Sequence, residues 1–352
     1  MSDRFELVGR TLRGEEAELW HFGAAAVLTP AGRLVASVGD PEVPTFTRST
    51  LKPIQALPFL LAAGYQEYDL NEADLALICA SHAGTPAHTE GVEKLLARGG
   101  FGVDDLLCAA HEPYDGKSAE VLRRRGEKPS PLHNNCSGKH AGMLLGCRLL
   151  GLDSSGYGDV NHPYQRRVRH EIATLTDCPE GTLAFSIDGC GLPTVRLPLT
   201  NLALCLARLA DPEAAGLGGE RATALRDVGA AMAEVPEMVA GEGRFTTRLI
   251  QVTGGRLIGK EGANGLYAVA VRGPVALGVA LKLAAGEEEP RDTIVLELLR
   301  QLGSLSAGEL DEMSAFYSPP VRNHAGLVVG SIQAEVDLIE VPGDRKLGTL
   351  DY

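Results

Sequence analysis

The chain has 352 residues, 44% of them hydrophobic and 22% charged, which excludes a disordered or coiled-coil chain and allows a large core in two lobes without disulfides or metals. Its net charge of -13 comes with no basic block beyond Arg123, Arg124 and Arg125, a run expected on a solvated helix face, which disfavours polyanion binding. Apolar runs such as Leu57 to Ala63 are too short to span a bilayer, and "MSDRFELVGR" lacks the basic-then-apolar order of an export signal. The expectation is a cytoplasmic protein with neither nucleic-acid nor membrane partners.

Near the start, "GAAAVLTPAGRLVASVGD" has two partly alternating apolar runs joined by "TPAG", the pattern of strand, tight turn and strand. Helical spacing follows in "LKPIQALPFLLAAG", "TEGVEKLLARGG", "KHAGMLLGCRLLGL", "NHPYQRRVRHEIATLTD", "NLALCLARLA" and "GERATALRDVGAAMAEV". The last third returns to strands, with paired runs in "GLYAVAVRGPVALGVALKL" and "AGLVVGSIQAEVDLIE". The fold class is therefore mixed α/β, of the α+β kind. An antiparallel sheet is built from both chain ends, about 1–50 plus 245–352, with a mainly helical lobe of about 51–244 inserted. Loops at a cleft between such lobes can carry chemistry.

Seven cysteines form an odd set without CxxC spacing, which reads as thiols rather than a disulfide framework. Cys79, Cys147 and Cys205 sit in apolar runs and belong to the core. Cys136 and Cys190 sit among glycines and polar residues, where a thiol can do chemistry.

Five polar clusters lie at the edges of these apolar runs. In "TFTRSTLKPIQALP", Ser49 and Lys52 are three apart at a helix start, which can bring an amine near a hydroxyl; a lysine kept neutral by burial can activate a serine. An N-cap serine with a solvated lysine would look the same. In "CASHAGTPAHTE", Ser81 precedes small residues that let a substrate approach, but Thr85, Pro86 and Glu90 also suit a helix start, with His82 and His88 on the surface. "HNNCSGKH" places Cys136 and Lys139 three apart beside Asn135 and His140, and "SIDGCGLPT" holds Asp188 and Cys190 between glycines. These residues suit a zinc site, a thiol nucleophile with a histidine base, or a tight polar turn opening a helix. Lys260 in "RLIGKEGANG" reads as part of a glycine-bracketed turn just before a strand, either facing a cleft or on the surface.

Taken in order from residue 48 to residue 265, "RSTLKPIQALP", "ASHAGTPAHTE", "HNNCSGKHAGML", "DGCGLPT" and "GKEGANG" resemble the Rhizobium-type (class 3) L-asparaginases, the asparaginase II family. That resemblance implies a fold like the serine β-lactamases and glutaminases. It also implies L-asparaginase activity, an amidohydrolase reaction on a linear amide yielding L-aspartate and ammonia. Two serine and lysine tandems are carried over, Ser49 with Lys52 and Ser81 with Lys260. The resemblance further implies zinc on Cys136, Lys139 and Cys190 with Asp188 beside it, substrate or supporting contacts from Arg48, Asn135 and His140, and a homodimer. The sequence departs from some members at Ile250, where they have a further cysteine and "TTRLIQV" has none.

The expected reaction is amide hydrolysis through an acyl-enzyme, with Lys52 deprotonating Ser49 and Ser81 and Lys260 relaying a proton to ammonia. A glutaminase is the near alternative, because one methylene discriminates by only about 1–3 kcal/mol. A penicillin-recognising hydrolase is disfavoured by the lack of S-D-N and K-T-G triplets. A non-catalytic zinc-stabilised binding protein is the alternative from another class.

Overall fold

A computed structural model of the chain describes residues 4–341. Twelve strands are present among them: β1 (Glu6–Arg13), β2 (Glu16–Leu28), β3 (Leu34–Val38), β4 (Pro44–Phe46), β5 (Ala184–Ile187), β6 (Pro193–Pro198), β7 (Leu257–Gly262), β8 (Leu266–Val271), β9 (Leu277–Leu283), β10 (Pro320–Arg322), β11 (Val328–Ala334) and β12 (Ile339–Glu340). The described residues divide into a sheet unit, comprising residues 4–50, Leu197–Ala215 and 252–341, and a helical unit, comprising Leu51–Arg196 and Gly216–Gln251. The ends of the expected sheet lobe, 1–3 and 342–352, lie outside the described residues.

In the sheet unit the strands run in the order β10-β11-β1-β2-β9-β8-β7, with β3 on β2 and β12 on β3. The strand β2 is long because it serves several partners. Its first half pairs antiparallel with β1, its second half pairs with β3, and residues Gly23 to Leu28 pair with β9 on the other side. The "TPAG" segment turns the chain as expected, with Gly32 donating to Thr29 O at 2.9 Å. None of the residues of β7 and β8 is exposed, which matches the unbroken apolar run "LYAVAV" of a strand covered on both faces.

Helix Leu199–Ala210 lies on β2, β8 and β9, and helix Glu288–Gln301 lies on β1 and β11. Periodicity placed residues 199–210 in the helical lobe; they belong instead to the sheet unit. The reason is packing at Gly278, where a Cβ would fall 1.9 Å from Ala203 O and 2.4 Å from Ala207 N. Only glycine lets the helix backbone come this close to the strand.

The helical unit is centred on helix Ser137–Leu149, whose residues from Ser137 to Cys147 are all buried. It packs against helices Leu57–Leu61, Glu72–Ile78, Pro86–Arg98 and Pro163–Thr176. Three glycines at four-residue spacing make this possible. A Cβ on Gly138 would lie 2.2 Å from Leu77 O, on Gly142 2.7 Å from Ile78, and on Gly146 2.3 Å from the Tyr164 ring. Arg123, Arg124 and Arg125 are exposed on helix Gly116–Arg125. The expected helical middle also contains an unforeseen hairpin, β5 paired with β6 from Ala184 opposite Arg196 to Ile187 opposite Pro193. Among the described residues no helix is long and apolar enough to cross a membrane.

These backbone approaches make an opposed pair of expectations. Gly278→Ala forces a methyl into the backbone of helix Leu199–Ala210 and is expected to lower stability by about 1–3 kcal/mol or more. Gly229→Ala, in helix Gly219–Glu234 with nothing within 4 Å of its Cβ position, is expected to be neutral or to stabilise by up to about 1 kcal/mol. Urea midpoints measure both, and equal midpoints would contradict the packing described.

Candidate active site

Lys52 is the most constrained cation in the helical unit. It opens the short helix Lys52–Gln55 and its side chain is fully buried. Its Nζ donates to Ala80 O at 2.6 Å and Asn135 O at 3.2 Å, and lies 3.0 Å from Ser81 Oγ. Both walls of this cradle are tied down. The Ser81 N–H donates to Val239 O at 2.9 Å, and the Asn135 N–H donates to His111 Nε2 at 2.9 Å. Two carbonyls hold two of the amine hydrogens, which aims the third tetrahedral position at the Ser81 hydroxyl. As an ammonium the group donates there; as a neutral amine its lone pair can take the serine proton.

Ser49 and Lys260 belong to the sheet unit, whereas Lys52 and Ser81 belong to the helical unit. Ser49 is half-buried on the 3-10 turn Arg48–Leu51, which is closed by Thr50 N and Oγ1 donating to Thr47 O at 3.1 and 2.6 Å. Arg48, half-buried just before it, has φ of 47°, a left-handed conformation that is strained for a residue with a Cβ. Lys260 is not in a turn before a strand but within β7, opposite Ala268 of β8. It is fully buried, donates to Glu261 O at 3.1 Å, and lies 3.7 Å from Glu261 Oε1.

Cys136, Lys139 and Cys190 converge in the helical unit and all three are buried. Lys139 Nζ donates to Cys190 Sγ at 3.4 Å, and Cys136 Sγ lies 3.2 Å from Asn135 Oδ1. The loop is shaped by Asn134, whose Oδ1 accepts from Cys136 N at 2.9 Å while its Nδ2 donates to Ala109 O at 2.6 Å. Cys190 sits in a turn closed by Asp188 N donating to Leu192 O at 2.8 Å, with Gly191 at φ of 87°.

A hydrogen bond from the Cys190 thiol holds the Cys136 thiol well below its ordinary pKa, and the charges of Lys52 and Lys139 act in the same direction. The same bond pushes Cys190 up, with burial adding to it. Burial opposes the charge on Lys139, but the two sulfurs and Asp188 outweigh it and raise the group. Cys136 also stands at the N-terminus of the central helix, where the dipole favours a thiolate.

Two histidines carry further detail. The Leu107 N–H donates to Tyr157 OH at 3.1 Å, and that hydroxyl lies 2.6 Å from His140 Nδ1. The phenol proton goes to Nδ1, so the neutral ring carries its hydrogen on Nε2, a buried nitrogen with no hydrogen-bond partner among the described residues. Burial, then the charges of Lys139 and Lys52, hold His140 well below its usual pKa. His82 and His88 are buried rather than on the surface, and their rings stack at 4.9 Å. His82 Nδ1 accepts from Gly84 N at 3.2 Å, so Nε2–H donates to Ser137 Oγ at 2.9 Å, and Ser137 donates to Leu132 O at 3.0 Å. His88 completes a capping box with Thr85 before Pro86. The capping reading of this stretch therefore holds, with His88 rather than Glu90 closing the box.

Sequence reasoning missed Tyr157, His111, Asn134 and the Val239 carbonyl. For Tyr157, His111 and Val239 the contacts are 17 to 158 residues distant along the chain, with no local motif to flag them, whereas Asn134 lies within "HNNCSGKH" and is set by Cys136 N two residues on and Ala109 O. All seven cysteines are free, and Cys79, Cys147 and Cys205 are in the core as expected.

Among the described residues no group of three or more His, Cys, Asp or Glu side chains is placed to hold a metal ion. The Cys136, Lys139 and Cys190 set falls outside that description because its third member is an amine. Its donors nonetheless suit zinc, since two soft sulfurs and a nitrogen point at one another from within a buried polar pocket.

The sequence profile of the L-asparaginase II family matches residues 10–334. The chain belongs to that family. No curated protein sequence matches it. Among solved structures it is similar to the protein Mglu, with a TM-score of 0.36, 17% identity and 80% of this chain covered. It is also similar to a Bacillus glutaminase, with a TM-score of 0.37, 14% identity, and 81% of this chain and 92% of that one covered. The chain spans 66% of the Mglu chain and 55% of it in its tris and glutamate form.

The buried histidines set an acid limit. Burial lowers His82 well below its ordinary value, with His88 and Lys52 adding to the effect, and burial lowers His88 as well. A depressed folded-state pKa contributes stability that is present above the unfolded value of about 6.5 and lost as pH falls toward the folded value. Unfolding free energy is therefore expected to fall from pH 7.5 to pH 5, by up to about 1.4 kcal/mol per pH unit for each proton taken up. His82→Gln should flatten that profile, and an unchanged slope would remove His82 from the account.

Proposed function

We propose that the chain is an amidohydrolase that hydrolyses the side-chain amide of L-asparagine to L-aspartate and ammonia through a serine acyl-enzyme. The observation that carries this reading is the buried Lys52 amine 3.0 Å from Ser81 Oγ. Membership of the L-asparaginase II family supports the amide chemistry.

In the proposed reaction Lys52 takes the proton of Ser81 as Oγ bonds to the amide carbon. The tetrahedral species then collapses, the C–N bond breaks, and the Lys52 ammonium protonates the departing nitrogen to give ammonia. Water attacks the resulting ester and loses a proton to Lys52, which returns it to Ser81 as aspartate leaves. Ala80 O and Asn135 O keep the amine aimed throughout, and the Nε2–H of His140 offers a buried donor to a substrate oxygen. Cys136, Lys139 and Cys190 would hold zinc, and a zinc ion there supplies positive charge that orients a substrate oxygen. On two thiolates it retains little Lewis acidity. Lys260 and Asp188 are placed in supporting roles, Lys260 as a second amine for proton transfer and Asp188 as a carboxylate beside Lys139.

A second reading makes Ser49 the attacking serine with Lys52 its base. The left-handed strain at Arg48, immediately before Ser49, favours it, because such strain collects at active sites. We further propose a homodimer acting in the cytoplasm. Seven free thiols suit a reducing compartment.

Ammonia release from L-asparagine by the purified protein is the primary test, with L-glutamine assayed beside it. Lys52→Met and Ser81→Ala are each expected to lower kcat by about 10³-fold or more with the fold intact. Full activity in Ser81→Ala with loss in Ser49→Ala would favour the second reading. Metal analysis is expected to find zinc in the wild type and none in Cys136→Ser or Cys190→Ser. Zinc in a wild type that releases no ammonia from any amide would mark a binding protein instead.

A further inference from the structure

Arg244, stacked on the exposed ring of Tyr114, belongs to no part of the machinery described so far. Its guanidinium carbon lies 5.5 Å from the Tyr114 ring centroid, and that ring stacks in turn on His111 at 4.9 Å with 26° between the planes. Tyr114 is 55% exposed in an irregular loop, so burial of its ring does not explain why the loop is held as it is.

The stack is anchored to both walls of the Lys52 cradle. His111 Nε2 accepts the N–H of Asn135, the residue whose carbonyl holds Lys52. Asp115 N donates to Ala83 O at 3.0 Å, pinning the loop two residues beyond Ser81. On the other side Gly241, at φ of +120°, presses on Ala83. A Cβ there would lie 2.6 Å from Ala83 Cβ and 3.5 Å from Arg244 Cδ. The turn is locked by Thr247 Oγ1 donating to Gly241 O at 2.6 Å and to Pro236 O at 3.1 Å. Arg244 Cδ therefore lies no more than about 6 Å from Ala83 Cβ, and Ala83 stands two residues along the chain from Ser81.

In a chain with 46 acidic and 33 basic residues, several buried or half-buried arginines are paired with carboxylates. Arg221 holds Glu171 at 2.8 Å, Arg256 holds Glu309 at 2.7 Å and Arg291 holds Asp292 at 2.7 Å. Among the described residues no carboxylate lies within salt-bridge distance of Arg244. The nearby acids on the Tyr114 loop are engaged elsewhere. Asp115 caps its helix through Ser118 N at 2.6 Å, and Glu112 faces Arg123 at 4.0 Å.

We propose that Arg244, held flat against Tyr114, binds the α-carboxylate of a small amino acid whose side-chain amide lies at Ser81. A stacked guanidinium keeps its N–H edge open for two parallel bonds to a carboxylate. The amide carbon and the α-carboxylate carbon of asparagine are separated by three C–C bonds, about 4 Å when extended, which one half-buried arginine over Ala83 can bridge. The inference rests on the amide-hydrolase reading and deepens it, making the substrate class amino acids with a free carboxylate rather than amides in general. Arg244 is then a specificity-determining residue, and Tyr114 positions it.

The test compares L-asparagine with 3-aminopropanamide, its counterpart lacking the carboxylate, in wild type, Arg244→Gln, Arg244→Lys and Tyr114→Ala. In Arg244→Gln the asparagine KM is expected to rise about 10- to 100-fold with kcat within about twofold. Turnover of 3-aminopropanamide should change less than threefold. Tyr114→Ala should show a smaller rise in the same direction, and Arg244→Lys should recover part of the loss. An asparagine KM unchanged in Arg244→Gln, or equal losses on both substrates, would overturn the proposal. L-Aspartate binding by calorimetry separates the two readings. If the wild type releases no ammonia from any amide but binds aspartate, and Arg244→Gln does not, the amide-hydrolase reading fails and the carboxylate site stands. Equal aspartate binding in wild type and variant, or none in either, overturns the carboxylate site.

Discussion

Complete burial of the Lys52 amine is the constraint on which the rest of the site depends. An amine removed from water must have its hydrogens taken up, and here two backbone carbonyls and one serine hydroxyl surround it. Those carbonyls come from segments 28 and 83 residues away, so the cradle exists only when the helical unit has closed around Lys52. The interaction that defines the chemistry is thus also one the fold must satisfy.

The central helix shows how the fold supplies that cradle. Gly138, Gly142 and Gly146 let helix Ser137–Leu149 sink against its neighbours until a side chain on Gly138 would strike the Leu77 carbonyl. Ala80 and Ser81 follow Leu77 within four residues, and Asn135 and Cys136 lead into the helix itself. Close helix packing therefore sets the spacing between the carbonyls that receive Lys52. The same helix end brings Cys136 and Lys139 to Cys190, and it carries His140, whose Nε2–H has no hydrogen-bond partner among the described residues. Two lysines, a histidine donor and a proton-sharing thiol pair thus form a buried, strongly polar cluster at this end of the helix.

Much of this organisation was legible from residue order alone. Short apolar runs such as "AAAVL" and "LYAVAV" marked the sheet at both chain ends, and the glycine-flanked cysteines stood apart from those in apolar runs. Periodicity could not show that "NLALCLARLA" packs on the sheet, because an amphipathic helix has the same pattern whichever core it covers; the decisive signal was one glycine, Gly278, about 70 residues further on. Glycines around Lys260 suggested a turn, yet the residue is fully paired within β7, where a lysine is tolerated because Glu261 stands beside it. The contact of Lys52 with Ser81 was not legible either. Spacing linked Lys52 with Ser49, three residues away, whereas the geometry is set by a long-range packing contact that leaves no periodic trace.

The most direct measurement is peptide mapping of enzyme quenched in acid during steady-state turnover of L-asparagine, with mass spectrometry locating the covalent adduct. The account predicts one aspartyl group esterified to Ser81, accumulating in the wild type and absent in Lys52→Met. An adduct on Ser49, or turnover with no adduct on any serine, would contradict it.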